Sequence, residues 1–325
     1  MISEELPISE TADSTDSHEP SDDATAWRAR ATESMARLVW RRFRRHPGAV
    51  AGSIILGILV LGIILAAISP YDPELSDMAN RLQPPSLVHP FGTDSLGRDL
   101  LTRVLYGGRI SLSVGLMVVA ITLVIGVPVG AVSGYFGGWA DNVLMRITDA
   151  ALSLPSLLVL ILLSAILRET ELPFVERNNV VTIALVIGLL SWMTVARLVR
   201  ATFLTIRELD FITAAHCVGV PNFRIMVRHI LPNVVGPIIV ESTLEVGYAI
   251  MEESGLSFLG FGIQPPTPSW GNLLSNAQEH MTKHPWLALF PGLMIFVSII
   301  SINYIGDGVR DAFDPYKVLK QIGEV

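Results

Sequence analysis

Six apolar stretches, each long enough to cross a bilayer, constrain this chain more than any other feature. The first, Ala49–Ile68, carries no charge; as helix it would span about 30 Å, the thickness of a bilayer's hydrocarbon core. Ile110–Phe136 is uncharged throughout, and Leu144–Leu167 contains Pro155 and is charge-free from Ala150. Val180–Ala196, Val234–Glu253 and Trp286–Ile305 complete the set. Lipid offers the backbone no hydrogen-bond partner, so each run is read as helix rather than strand. The expected fold class is an all-α integral membrane protein with six transmembrane helices and both termini on one side.

Composition agrees: 50% of the 325 residues are hydrophobic and 16% charged, too apolar for an ordinary soluble domain. The net charge of −7 is local. Residues 1–26 hold eight acids and no Lys or Arg. It therefore signals neither an acidic substrate nor a nucleic-acid partner. Residues 1–35 are expected to be a disordered acidic cytoplasmic tail. Residues 36–109 then supply a basic segment ending in WRRFRRHP (Trp40–Pro47), the first span and an external loop. Residues 110–310 form a five-helix core, and 311–325 a cytoplasmic C-terminal tail. With this threading, 16 Lys and Arg fall on the side of the termini and seven on the other. The positive-inside rule makes the richer side cytoplasmic. Cys217 is the sole cysteine, so no intrachain disulfide is possible.

Between the fourth and fifth apolar runs lies a polar interruption, Asp210–Pro232, DFITAAHCVGVPNFRIMVRHILP. Asp210 is a candidate N-cap, Ala214 and Ala215 form a small-residue turn of helix, and Gly219 breaks it. Pro221 suits the first position of a second helix that stacks Arg224 on Arg228 before Pro232 stops it. The expectation is a short helix–turn–helix at the membrane face, with a small flat patch at Ala214–Ala215 beside a basic rim.

The chain contains no G-x-x-x-x-G-K-[ST] loop, so any ATP-driven work must use nucleotide bound elsewhere. No catalytic pair stands out, and no cofactor or metal site is expected. His280 and His284 have helical i,i+4 spacing beside Glu279 but no third ligand nearby. In the fifth span Glu241, Glu245, Tyr248 and Glu252 fall on one helical stripe. A carboxylate at mid-membrane costs roughly 2.5–3.5 kcal/mol, so the stripe should face a polar path or a neighbouring subunit. A path would favour cationic groups such as a peptide α-amino group. The external segments Tyr71–Arg109 and Leu256–Pro285 suit ordered, irregular surface, with Trp270, Trp286 and Phe290 as candidate interfacial anchors.

The spacing Ala214-Ala215-x3-Gly219 with Leu231-Pro232 downstream resembles the "EAA" loop of binding-protein-dependent ABC importer permeases. Thr213 stands where that motif has Glu, and His229 where Ile is usual. HPFGTDSLGRDLLTRVLYGGRISLSVG, GLSFLGFGIQPPTPSWGN and NYIGDGVRDAFDPY resemble signatures of the C-type permease subunit of dipeptide, oligopeptide and nickel importers. The likeness runs from about residue 36 to about 317. It implies the type I ABC importer permease fold and a non-catalytic subunit. The implied partners are a homologous second permease, two ATP-binding subunits and an extracytoplasmic solute-binding protein, in lipid. In that family Thr213, Ala214, Ala215, Gly219, Arg224 and Arg228 correspond to the ATPase-coupling loop. Nickel cargo, or a proton-coupled secondary transporter using the acidic stripe, stands as an alternative.

Overall fold

The computed structural model describes residues 35–169 and 180–313. The expectations for residues 1–34, for 170–179 and for 314–325 of the C-terminal tail lie outside them. Helix α1 (Met35–Phe43) is followed by α2 (Pro47–Leu65), α3 (Leu100–Phe136), α4 (Gly138–Leu152) and α5 (Ser156–Glu169). Then come α6 (Val180–Arg207), α7 (Asp210–Cys217), α8 (Leu231–Phe258), α9 (Trp270–Ala277) and α10 (Trp286–Phe313). No named strand occurs among the described residues.

Local chemistry sets the helix ends. His46 Nδ1 accepts from the Ala49 amide at 3.1 Å, and Pro47 occupies the first turn of α2. Asp99 caps α3 by accepting from the Thr102 amide at 2.8 Å. Helix therefore begins at Leu100, and the external loop expected to reach Arg109 is about one-quarter helix. The third span departs more: α4 and α5 meet at 89° around Ser153-Leu154-Pro155. Proline lacks the amide proton and disfavours helical geometry at the residue before it, and the bend in Leu144–Leu167 falls at Leu154-Pro155. Among the described residues five long apolar helices are unbroken, and the bent pair brings the possible spans to six.

Helices α3 and α6 form the spine. A Cβ on Gly126 would lie 2.7 Å from the Trp192 carbonyl oxygen, and one on Gly134 equally close to that of Arg200. Gly130 between them faces the Ala196 carbonyl. Three glycines at four-residue spacing thus let the two backbones touch, as membrane helix pairs without a hydrophobic driving force require. Arg207 closes the end of α3 by donating to the Gly134 and Tyr135 carbonyls at 3.1 and 3.2 Å. Arg200 of α6 donates to Asp141 of α4 at 2.6 Å, tying the third element to the spine. On the other flank α10 receives α1 and α2, with Phe43 and Ala49 seated over Gly308. The far side of α2 exposes Ile54, Ile58, Leu61 and Ile64, as a helix bordered by lipid does.

At the end remote from α7, residues 69–99 and 259–285 are held by buried polar bonds. Asp94 accepts from the Leu96 and Arg98 amides at 2.8 and 3.0 Å and from Arg98 Nε at 2.8 Å. The fully buried Arg103 lies 3.4 Å from the same carboxylate and donates to the Pro73 carbonyl at 2.5 Å. Trp270 is not an interfacial anchor: it is wholly buried, and its indole N–H donates to the Val104 carbonyl at 2.8 Å. Half-buried Phe290 stacks on Phe91 at 3.8 Å.

Candidate functional site

The hairpin between α6 and α8 departs from expectation at three points. Leu209, not Asp210, holds the N-cap position, and Asp210 lies in the first turn, where its charge still favours the helix N-terminus. Pro221 is the extended residue before the second helix rather than its first turn. Pro232 does not stop that helix. One turn (Asn222–Arg224) passes through a π segment (Ile225–Ile230) directly into α8, giving an unbroken Asn222–Phe258. Widening the turn before Pro232 lets the chain pass a residue with no amide proton. The break at Gly219 is as expected. Its φ is +79°, its amide bonds His216 O at 2.9 Å, and the Val220 amide bonds Ala215 O at 3.1 Å. This is a complete Schellman motif, whose left-handed position suits glycine.

The hairpin has two unlike faces. Ile212, Ala215, Ile225 and Ile230 are buried against Val195, Val199 and Phe203 of α6. Thr213, Ala214, His216, Arg224 and Arg228 are exposed. Of the small patch expected at Ala214–Ala215, only Ala214 faces outward. Phe223 stands 77% exposed, beside an apolar groove of about 340 Å³ lined by Val127, Ala131, Phe136, Phe203 and Val227. Tyr135 at the end of α3 donates to Asn222 Oδ1 at 2.9 Å and lies 3.3 Å from His216 Nε2, bridging both arms.

The acidic stripe is divided. Glu245 is buried beside Ser191 of α6, Glu241 and Glu252 are half-buried, and Tyr248 is exposed. The stripe is therefore not one uniformly open face. The neighbouring Glu253, absent from the expected site residues, is wholly buried. It accepts hydroxyl bonds from Ser111 of α3 at 2.8 Å and from Ser257 at 2.7 Å. Serines one and four residues after a glutamate were the available sign, but Ser111 is 142 residues away. The His280 and His284 rings lie 6.5 Å apart, and among the described residues no three His, Cys, Asp or Glu form a metal-holding group.

Residues 126–317 match the family model described as binding-protein-dependent transport system inner membrane component. Residues 34–85 match that of the N-terminal TM domain of oligopeptide transport permease C. A dipeptide transport system permease protein of Alkalihalophilus pseudofirmus is 40% identical over 280 residues, covering 86% of this chain and 89% of that protein. A glutathione transport system permease protein of Escherichia coli O157:H7 is 40% identical over 278 residues, with coverages of 85% and 89%. A solved structure of the MetNI methionine ABC transporter in inward-facing form aligns with a TM-score of 0.53 and 17% identity. The alignment covers 65% of this chain and 96% of that one, and shows a shared fold.

Proposed function

Because this chain belongs to the family of binding-protein-dependent transport system inner membrane components, it is a membrane permease subunit of a bacterial ABC importer, and we propose that its cargo is peptide. It works with a homologous second permease, two ATP-binding subunits and an extracytoplasmic binding protein. The α7 hairpin and both termini face the cytoplasm, in keeping with the Lys and Arg distribution.

The observation that carries this reading is the unbroken helix from Asn222 to Phe258. Thr213, Ala214, Gly219, Arg224 and Arg228 line or shape the outer face of the hairpin, while Ala215 holds it from below. An ATP-binding subunit gripping that face pulls on the same helix that carries Glu241, Glu245, Tyr248 and Glu252. Movement of the subunits on ATP binding is thereby delivered to the path without a hinge. Reversing a 1:99 equilibrium between inward- and outward-facing states takes about 5.5 kcal/mol of differential binding, within the reach of nucleotide bound to one state. The half-buried Glu241 and Glu252 of the stripe offer carboxylates to the peptide α-amino group, with Glu245 behind them, and residues 69–99 and 259–285 receive the loaded binding protein.

The test is uptake of labelled peptide by proteoliposomes containing the whole complex. Uptake should require internal ATP and external binding protein, survive collapse of a proton gradient, and fall several-fold in Glu241→Gln/Glu245→Gln. Sensitivity to the proton gradient with ATP held constant would overturn ATP coupling. Unchanged uptake of every peptide class by the double variant would remove the stripe from the path.

A further inference from the structure

Glu253 has no part in the transport path described above, yet it is the most deeply buried carboxylate of α8. Both of its oxygens are occupied. Oε1 accepts the Ser257 hydroxyl at 2.7 Å, and Oε2 accepts that of Ser111 at 2.8 Å, with Ser254 at 3.4 Å. The Ile263 amide donates to Ser257 Oγ at 2.9 Å, and the Trp270 amide donates to Ser111 Oγ at 3.4 Å. Each hydroxyl oxygen thus accepts an amide proton on one side and is bonded to Glu253 on the other.

The carboxylate thus organises two parallel relays that end on backbone amides at Ile263 and Trp270. Those amides bracket the turn from Gln264 to Ser269, in which Pro265 and Pro266 are exposed. Everything around the bracket is closed. Asn272 donates to the Ile263 and Thr267 carbonyls at 3.2 and 2.8 Å and forms a capping box with Ser269. A Cβ on Gly107 would lie 3.2–3.3 Å from the backbone of Ser269 and Trp270. Besides the bonds of Asn272, the turn is therefore tied at both ends to one buried carboxyl group, and that group sits on the helix that the hairpin moves.

We infer that Glu253 is a positioning residue for binding-protein docking. Through Ser257 and Ser111 it sets the exposed turn Gln264–Thr267 in the shape the binding protein meets, and links that shape to α8. This rests on the reading that residues 259–285 receive the binding protein. Neutral glutamine keeps the volume of glutamate but presents an amide nitrogen to one of the two hydroxyls, so one relay must reverse or break.

The experiment is a titration of ATPase activity with cargo-loaded binding protein, using the reconstituted whole complex. Wild type, Glu253→Gln and Ser257→Ala are compared. The expected result is a rise of about tenfold in the half-stimulating concentration for Glu253→Gln, with the rate at saturating binding protein retained. Ser257→Ala, which breaks only the relay to Ile263, should shift it less and in the same direction. It carries the test if Glu253→Gln does not assemble. Assembled variants whose curves superimpose on wild type would overturn the inference, as would a lowered saturating rate with no change in half-stimulating concentration. Wild-type activity that ignores the binding protein would instead sink the docking reading itself.

Discussion

At the hairpin end, Ile212, Ala215 and Ile230 rest on Phe203 and Val199, while nearly every polar group faces outward. At the opposite end, Asp94, Arg98, Arg103, Glu253 and Ser269 are buried and bonded to one another or to backbone. An apolar underside is non-directional and tolerates small shifts, so it suits an element that is gripped and moved. A buried polar network fails unless nearly every bond is in place, so it suits a platform that must keep one shape.

Deleting an aromatic at each end sharpens the contrast. Trp270→Ala empties a fully buried site and leaves the Val104 carbonyl without its indole donor. It should destabilise the purified complex by about 3–5 kcal/mol, read as a large fall in thermal midpoint in detergent. Phe223→Ala removes a ring of similar kind from the exposed hairpin face and should change stability by no more than about 0.5 kcal/mol. Its effect should appear instead as weaker retention of the ATP-binding subunits during purification. Equal thermal shifts for the two variants would break the comparison.

Much of this architecture was legible in the sequence. The run Ala49–Ile68 falls on α2 and its short 3-10 extension, and Gly219 is the break its surroundings demanded. Failures came where a local signal met a longer-range one. Leu144–Leu167 is expected as one span containing Pro155, and it is instead a pair of helices bent by 89° there, because lipid-length apolarity does not keep a helix straight. Pro232 has the sequence signature of a stop, but π geometry one turn earlier absorbs it. Trp270 has the composition of an interfacial residue. Its burial depends on Gly107, Gly108 and Val104, over 160 residues earlier in the chain, so no local pattern could announce it. The same holds for Glu253, whose partner Ser111 lies on another helix, and for the Gly126, Gly130 and Gly134 seam, which has meaning only opposite α6.

The most direct test of the coupling claim is to place bulk on the exposed hairpin face without touching its underside. Ala214 is exposed and its side chain is not part of the buried core, so Ala214→Trp should leave the thermal midpoint of the permease unchanged. The measurement is co-purification of the ATP-binding subunits together with their cargo-stimulated ATPase activity, against wild type. The hairpin account predicts loss of the subunits, and with them loss of stimulation, from a normally folded permease. Full retention and full stimulation in Ala214→Trp would contradict it, and would place ATPase docking on some other surface of the chain.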